Sequence, residues 1–305
     1  MKQFHLLLIG LLIASFGCSQ AQEEKSNKPN APKFEEGTEN TLLWQITGNG
    51  LKDTSYVFGT MHLINKEYFY FPDKLKTLIQ STDAVVLEIG EDLNDPFKAM
   101  KLMQLEGDRT IFDFFNEEQT DSILTWVEGN MGMNREKFTA AFGKMKPFIL
   151  VSLGSEMNMA KSAESYEKTI MKIQKESKIK LEGLETIEEQ LGIFDDMTDE
   201  EQAEMVMEAI RKDGESEKMI LDMMKIYRRQ NIDSLYLMIH EEGETIANKE
   251  DEFLSNRNHK WIPKINSMIA DRRVFIAVGA GHLGGKEGVL NLLREEGYTI
   301  TPLKL

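Results

Sequence analysis

The 305-residue chain has a single cysteine and only five histidines. One cysteine excludes a disulfide framework within the chain and a cysteine-based zinc cluster. Positive charge is also scarce: 36 Lys and Arg face 51 Asp and Glu, a net charge of −15 with no basic run. Such a chain repels a phosphate backbone, so nucleic acid is excluded as a partner. No apolar stretch reaches the about 20 residues that a membrane helix needs. There is no Gly-x-Ser-x-Gly elbow, no His-Glu-x-x-His and no Gly-x-x-x-x-Gly-Lys loop. Serine-hydrolase, zincin and nucleotide-hydrolase readings therefore lack support, and no nucleotide or organic cofactor is expected.

What is present suffices for a packed core: 41% hydrophobic and 9% aromatic residues. The N-terminus pairs a short basic start, Met1-Lys2, with an apolar run from Leu6 to Ala14. That pattern reads as a signal peptide over residues 1–17. Cys18 follows Ser15-Phe16-Gly17 and looks like the lipidated first residue of a bacterial lipoprotein. The alternative is cleavage after Ala21, which would release the protein. Residues 18–38 are too polar to order themselves and read as a tether. The expected location is the cell envelope, with the membrane as a partner through the lipid.

The folded part reads as one α/β domain over residues 39–305. Leu42–Ile46 and Ser55–Gly59 suit a pair of strands around Gly48-Asn49-Gly50. Pro72–Ile79 suits a helix, and Ala84–Ile89 a strand buried on both faces. Val274–Val278, Gly288–Glu296 and Tyr298–Leu303 read as strand, helix and strand. The expected architecture is a small, mostly parallel or mixed sheet built from residues 39–95 and 273–305, with residues 96–272 forming a large, mainly helical insertion. A strand at Ile179–Leu184 interrupts those helices. Fifteen of the 18 methionines lie from Met100 to Met238. They suit adaptable core filling, or a flexible substrate groove.

Two segments match: Tyr56-Val57-Phe58-Gly59-Thr60-Met61-His62-Leu63 and Ile276-Ala277-Val278-Gly279-Ala280-Gly281-His282-Leu283. Each is a strand followed by Gly-x-x-His-Leu. Gly59, Gly279 and Gly281 permit a sharp turn or a close approach of the backbone. Each histidine then falls just beyond a strand's carboxyl end, where α/β sheets bind ligands. Glu88 closes a third apolar strand and is placed to reach the same rim; a salt bridge is its other role. Two imidazoles and a carboxylate suit a divalent metal site with open positions, or acid–base work. Arg257, read from composition alone, is a solvated helix arginine. Glu185 is a site carboxylate or glue between insertion and core. His240 and His259 read as surface residues.

These motifs, with Val86-Leu87-Glu88, Gly183-Leu184-Glu185-Thr186, Glu189-Gln190-Leu191 and Arg257-Asn258, resemble the TraB/GumN family, related to PrgY and the Tiki proteases. The resemblance runs from about Leu43 to Pro302. It implies an erythromycin-esterase-like fold with His62, Glu88 and His282 in one cleft. It also implies metal-dependent peptidase activity for some members, and peptide binding or neutralisation for others, and it gives Arg257 the alternative role of a guanidinium that binds a substrate carboxylate or steadies an oxyanion. The expectation is an envelope-anchored hydrolase of peptide or ester bonds, using His62, Glu88, His282 and Arg257, with manganese, cobalt and zinc not distinguished. The alternatives are a non-catalytic peptide-binding module using the same cleft, and a structural envelope protein whose motif residues only support turns.

Overall fold

A computed structural model describes residues 41–90, 95–159, 163–241 and 251–305. The signal peptide, Cys18 and the tether lie outside the described residues, as does the side chain of His240.

The chain starts with the antiparallel pair β1 (Leu43–Gly48) and β2 (Ser55–Thr60), followed by a two-residue strand β3 (Ile64–Asn65). Helix α1 (Asp73–Gln80) starts directly after Pro72, whose fixed φ suits a helix entry. Strand β4 (Ala84–Ile89) is buried at all six positions, as its unbroken apolar run requires. Helices α2 (Pro96–Leu102), α3 (Glu117–Met131), α4 (Arg135–Phe142) and α5 (Phe148–Met159) follow, with a 3-10 turn at Ile111–Phe114. Next come β5 (Ala163–Glu164), α6 (Tyr166–Ser177), β6 (Lys180–Glu185), α7 (Ile187–Asp195), α8 (Asp199–Arg211), α9 (Asp213–Arg228) and α10 (Ile232–Glu241). A π turn at Asp251–Ser255 leads into α11 (Asn256–Ile269). Strand β7 (Val274–Gly279), a 3-10 turn at Ala280–His282, α12 (Val289–Glu295) and β8 (Tyr298–Leu303) complete the chain.

The main sheet is mixed, in the order β6-β4-β7-β2-β1-β8. The run β6-β4-β7-β2 is parallel, and β1 pairs antiparallel with both β2 and β8. Its register matters for the site: Thr60 pairs with Gly279, and Ile89 with Glu185. The carboxyl ends of four strands therefore form one rim.

The stretch from residue 96 to residue 272 is not simply an insertion, because it supplies the edge strand β6. Three charged residues among the six of β6 disguise it: Lys180, Glu182 and Glu185. Charge is what an edge strand carries to discourage further pairing. Helices α6, α9, α10 and α11 also pack into the sheet core through Tyr166, Met224, Leu235 and Trp261. A second core gathers α3, α4, α5, α7 and α8 around Val127, Phe138, Phe148, Leu191 and Met205. Met103, Met197, Met205, Met207, Met219, Met223 and Met224 are all buried, which favours the core-filling reading for these methionines.

Candidate functional site

Glu88 sits at the end of β4 with its side chain 8% exposed. Its Oε1 accepts the Gly279 backbone N–H at 2.7 Å, and its Oε2 accepts Arg257 Nη2 at 2.6 Å and Gln190 Nε2 at 3.2 Å. His62 Nε2 and His282 Nε2 each lie 3.9 Å from Glu88 Oε1. Residues from β2, β4 and β7 thus meet at the rim.

Gly279 is the floor of this group. A Cβ there would stand 3.2 Å from Glu88 Oε1, 3.6 Å from His282 Cδ2 and 3.8 Å from His62 Nε2. Its φ of −52° is open to any residue, so close approach, not a left-handed turn, is what glycine provides here. At Gly59 the same holds: a Cβ would meet Leu283 Cδ1 at 2.8 Å. Gly281 likewise makes room for Ile239. Gly279 opens the 3-10 turn and Gly281 lies within it, while Gly59 lies in β2; at all three the missing side chain also permits close packing.

Arg257, on the first turn of α11, ties the group together. Besides Glu88, its Nη2 donates to Glu185 Oε1 at 2.5 Å and its Nε to Glu185 Oε2 at 3.2 Å. Its Nη1 donates to Phe253 O, in the π turn, and lies 3.1 Å from His282 Nε2. The guanidinium carbon is 4.9 Å from the centre of the Trp261 ring. Arg257 is therefore buried and multiply held, not a solvated helix arginine. Glu185 also accepts Gln190 Nε2 at 2.9 Å and Trp261 Nε1 at 3.1 Å. Its contacts are those of a carboxylate that fixes Arg257.

A guanidinium can only donate, so His282 Nε2 accepts and its proton sits on Nδ1. That Nδ1 lies 2.7 Å from Asn258 Oδ1, while Asn258 Nδ2 donates to Glu287 O at 2.8 Å. On His62 the Nδ1 lies 2.9 Å from Glu167 Oε1. Glu167, Asn258 and Gln190 are the partners that sequence reasoning did not assign. Asn258 and Gln190 stand in the family markers, but nothing local in Ser165-Tyr166-Glu167 distinguishes Glu167 from other helix-surface acids.

Charge in this cluster is polarised. Burial would raise the Glu88 carboxyl, but Arg257 foremost, with the charged His62 and the Gly279 N–H, holds it far below the usual range. Burial would lower His62, yet Glu167 beside it, helped by Glu88, pushes it up to about 9. Burial and then Arg257 bring His282 down to about 3. Burial leaves Glu185 raised despite Arg257. The result is a cationic His62, a neutral His282 and an anionic Glu88.

Among the described residues, no group of three His, Cys, Asp or Glu stands ready as cation ligands. The donor chemistry nevertheless suits a divalent ion. Both imidazoles have Nδ1 engaged by another residue and turn Nε2 toward one carboxylate oxygen, the pattern of metal-ligating histidines. What competes in place is Arg257 Nη1 on His282 Nε2. His259, by contrast, is exposed and pairs with Glu287.

A mixed α/β domain that gathers two strand-end histidines, a glutamate and an arginine at one rim defines the class of protein. The match of residues 42–302 to the TraB/PrgY/gumN family model identifies the group: the chain belongs to the TraB/PrgY/gumN family. No curated protein and no solved structure matches it. Among the described residues, no helix is long and apolar enough to cross a membrane.

Proposed function

We propose that this protein hydrolyses peptide or ester bonds at the rim formed by β2, β4 and β7. The observation that carries the reading is the convergence of His62 Nε2 and His282 Nε2, each 3.9 Å from Glu88 Oε1, above the bare backbone of Gly279. A divalent cation held by Glu88, His282 and His62, the last after giving up its Nε2 proton to solvent, would acidify a water and polarise the scissile carbonyl. Manganese, cobalt and zinc all suit such a set.

The chain's own groups supply the rest. His282 stays neutral down to about pH 3, so its Nε2 lone pair is available near neutrality once Arg257 Nη1 moves aside. Released from His282, that Nη1 is a donor for a carbonyl oxygen gaining negative charge, while Glu185, itself bonded by Trp261 Nε1, keeps hold of the guanidinium through Nε and Nη2. Glu88 remains ionised and holds the Gly279 N–H, fixing the floor of the site. Export and anchoring through Cys18 complete the proposal and place substrates in the cell envelope.

A second reading, peptide capture without turnover, draws on His62. An imidazolium that persists up to about pH 9 is suited to grip a substrate carboxylate. The deciding experiment screens metal-free and manganese-, cobalt- or zinc-loaded protein against a peptide and ester library. Turnover that needs the metal and vanishes in Glu88→Gln and His282→Asn supports hydrolysis. Binding without turnover, lost in the same variants, replaces it with capture.

A further inference from the structure

The shortest contact of His62 is with a residue that neither sequence motif contains. We propose that Glu167 is a positioning residue of the site: by pairing with the Nδ1–H of His62 it aims His62 Nε2 at Glu88 and Gly279.

The topology builds this contact deliberately. His62 lies two residues before β3, and Glu167 three residues after β5. Those two strands pair antiparallel, with Ile64 opposite Glu164 and Asn65 opposite Ala163. Extending the register backward along β3 and forward along β5 brings His62 and the first turn of α6 together. The small ribbon therefore sets the first Gly-x-x-His segment against α6, although some hundred residues separate them in sequence. No other sheet neighbour is needed to explain a two-residue ribbon at this place.

Several contacts hold the carboxylate. Ser165, the N-cap of α6, receives Lys168 N–H on its Oγ and donates to Glu167 Oε2 at 3.1 Å. Tyr166, next to Glu167, is buried and bonds both the N–H and the carbonyl of Tyr70 through its hydroxyl. Glu167 Oε1 is buried and no well-aligned hydrogen bond satisfies it among the described residues; its contact with His62 Nδ1, at 2.9 Å, is that of an ion pair. A buried carboxylate oxygen without a satisfying hydrogen bond, 2.9 Å from an imidazole Nδ1, is stabilised chiefly by that ring. The aim of the other nitrogen follows from ring geometry, because Nδ1 and Nε2 point to opposite sides of the imidazole. Asn258 does the same for His282 with a neutral acceptor. The two rings thus have different supports, one charged and one not.

What His62 Nε2 then does rests on the proposed function; that Glu167 aims it does not. Two measurements separate these. Nitrogen-15 histidine NMR of the metal-free protein reads the first. A hydrogen-bonded Nδ1 proton of His62 is expected in wild type, retained with a changed shift in Glu167→Gln, and lost to exchange in Glu167→Ala. Its absence from wild type, or its persistence unchanged in Glu167→Ala, overturns the proposal. Titration of metal-free protein with cobalt(II), followed by its absorption spectrum, reads the second. Glu167→Ala is expected to weaken cobalt binding about 10–100-fold, with Glu167→Gln recovering most of it. Thermal unfolding of the same samples identifies any variant that has merely lost its fold, and Glu167→Gln then carries the comparison. If wild type binds no cobalt while the Nδ1 proton still follows Glu167, the positioning role stands and the metal reading falls.

Discussion

Arg257 Nη2 lies 2.6 Å from Glu88 Oε2, joining the start of α11 to the end of β4 across 169 positions of sequence. Both side chains are 8% exposed, so each charge depends on the other. Breaking such a pair leaves an uncompensated buried charge and costs about 3–5 kcal/mol.

Arg257→Met should therefore destabilise the protein by roughly that amount, since it strands both Glu88 and Glu185. Glu88→Gln should cost less, because Arg257 keeps two hydrogen bonds to Glu185 and one to Phe253 O. Urea unfolding of the two variants at neutral pH makes the comparison. Equal losses would mean that Arg257 is held mainly by Glu88.

The two histidines should give stability opposite slopes with pH. His62 is raised from 6.5 to about 9, so its contribution is complete below 6.5 and is lost as pH rises through 9. His282 is lowered from 6.5 to about 3, so its contribution is present above 6.5 and is lost as pH falls toward 3. Unfolding free energies across pH 4–10 should rise and then fall, superimposed on the background of other groups. His62→Gln should flatten the alkaline limb and His282→Asn the acidic one. A profile whose limbs do not respond to these changes contradicts the charge assignment.

Gly279→Ala separates folding from function. Its backbone conformation accepts alanine, and the new methyl meets Glu88 Oε1 at 3.2 Å, a contact that a small shift relieves. The stability loss should be about 1–3 kcal/mol, the usual range for slight overpacking. Cobalt binding and turnover should fall far more, because the methyl stands among the three donors. Full binding in a stable Gly279→Ala protein would show that the space above Gly279 is not used.

Cys18→Ala should release the protein from membranes, since Cys18 is the only cysteine of the chain. Cell fractionation with mass spectrometry of the mature N-terminus provides the check. Membrane retention of the variant, with no acyl mass on wild type, would discard the anchor.

Much of this arrangement was legible because strands that end in chemistry carry a local signal. An apolar run, a glycine and a polar residue in sequence placed His62, Glu88 and His282 at strand ends, and their register in the sheet puts those ends on one rim. Arg257 and Glu185 came from the motifs that accompany them. The partner Glu167 carried no such signal, and Gln190 stood in a marker without a role assigned to it: each is a polar residue on a helix, in a chain where 29% of residues are charged. Their importance arises only when a distant strand arrives beside them. Strand β6 was visible as a strand, but Leu181 and Leu184 alone did not reveal that it extends the central sheet.

The position of β7 governs the order of assembly. It lies between β4 and β2 in the sheet, yet it is the next-to-last strand to be synthesised. Until it is available, β2 and β4 have no parallel neighbour between them, and the buried run Val85-Val86-Leu87 lacks one of its two covering strands. Such a late, long-range closure slows folding and leaves apolar edges open meanwhile. A ribosome that stops before residue 274 makes an aggregation-prone chain, not a weaker version of the protein. The same closure makes assembly of the rim an all-or-nothing event: the strand that joins β4 to β2 also delivers Gly279 and His282.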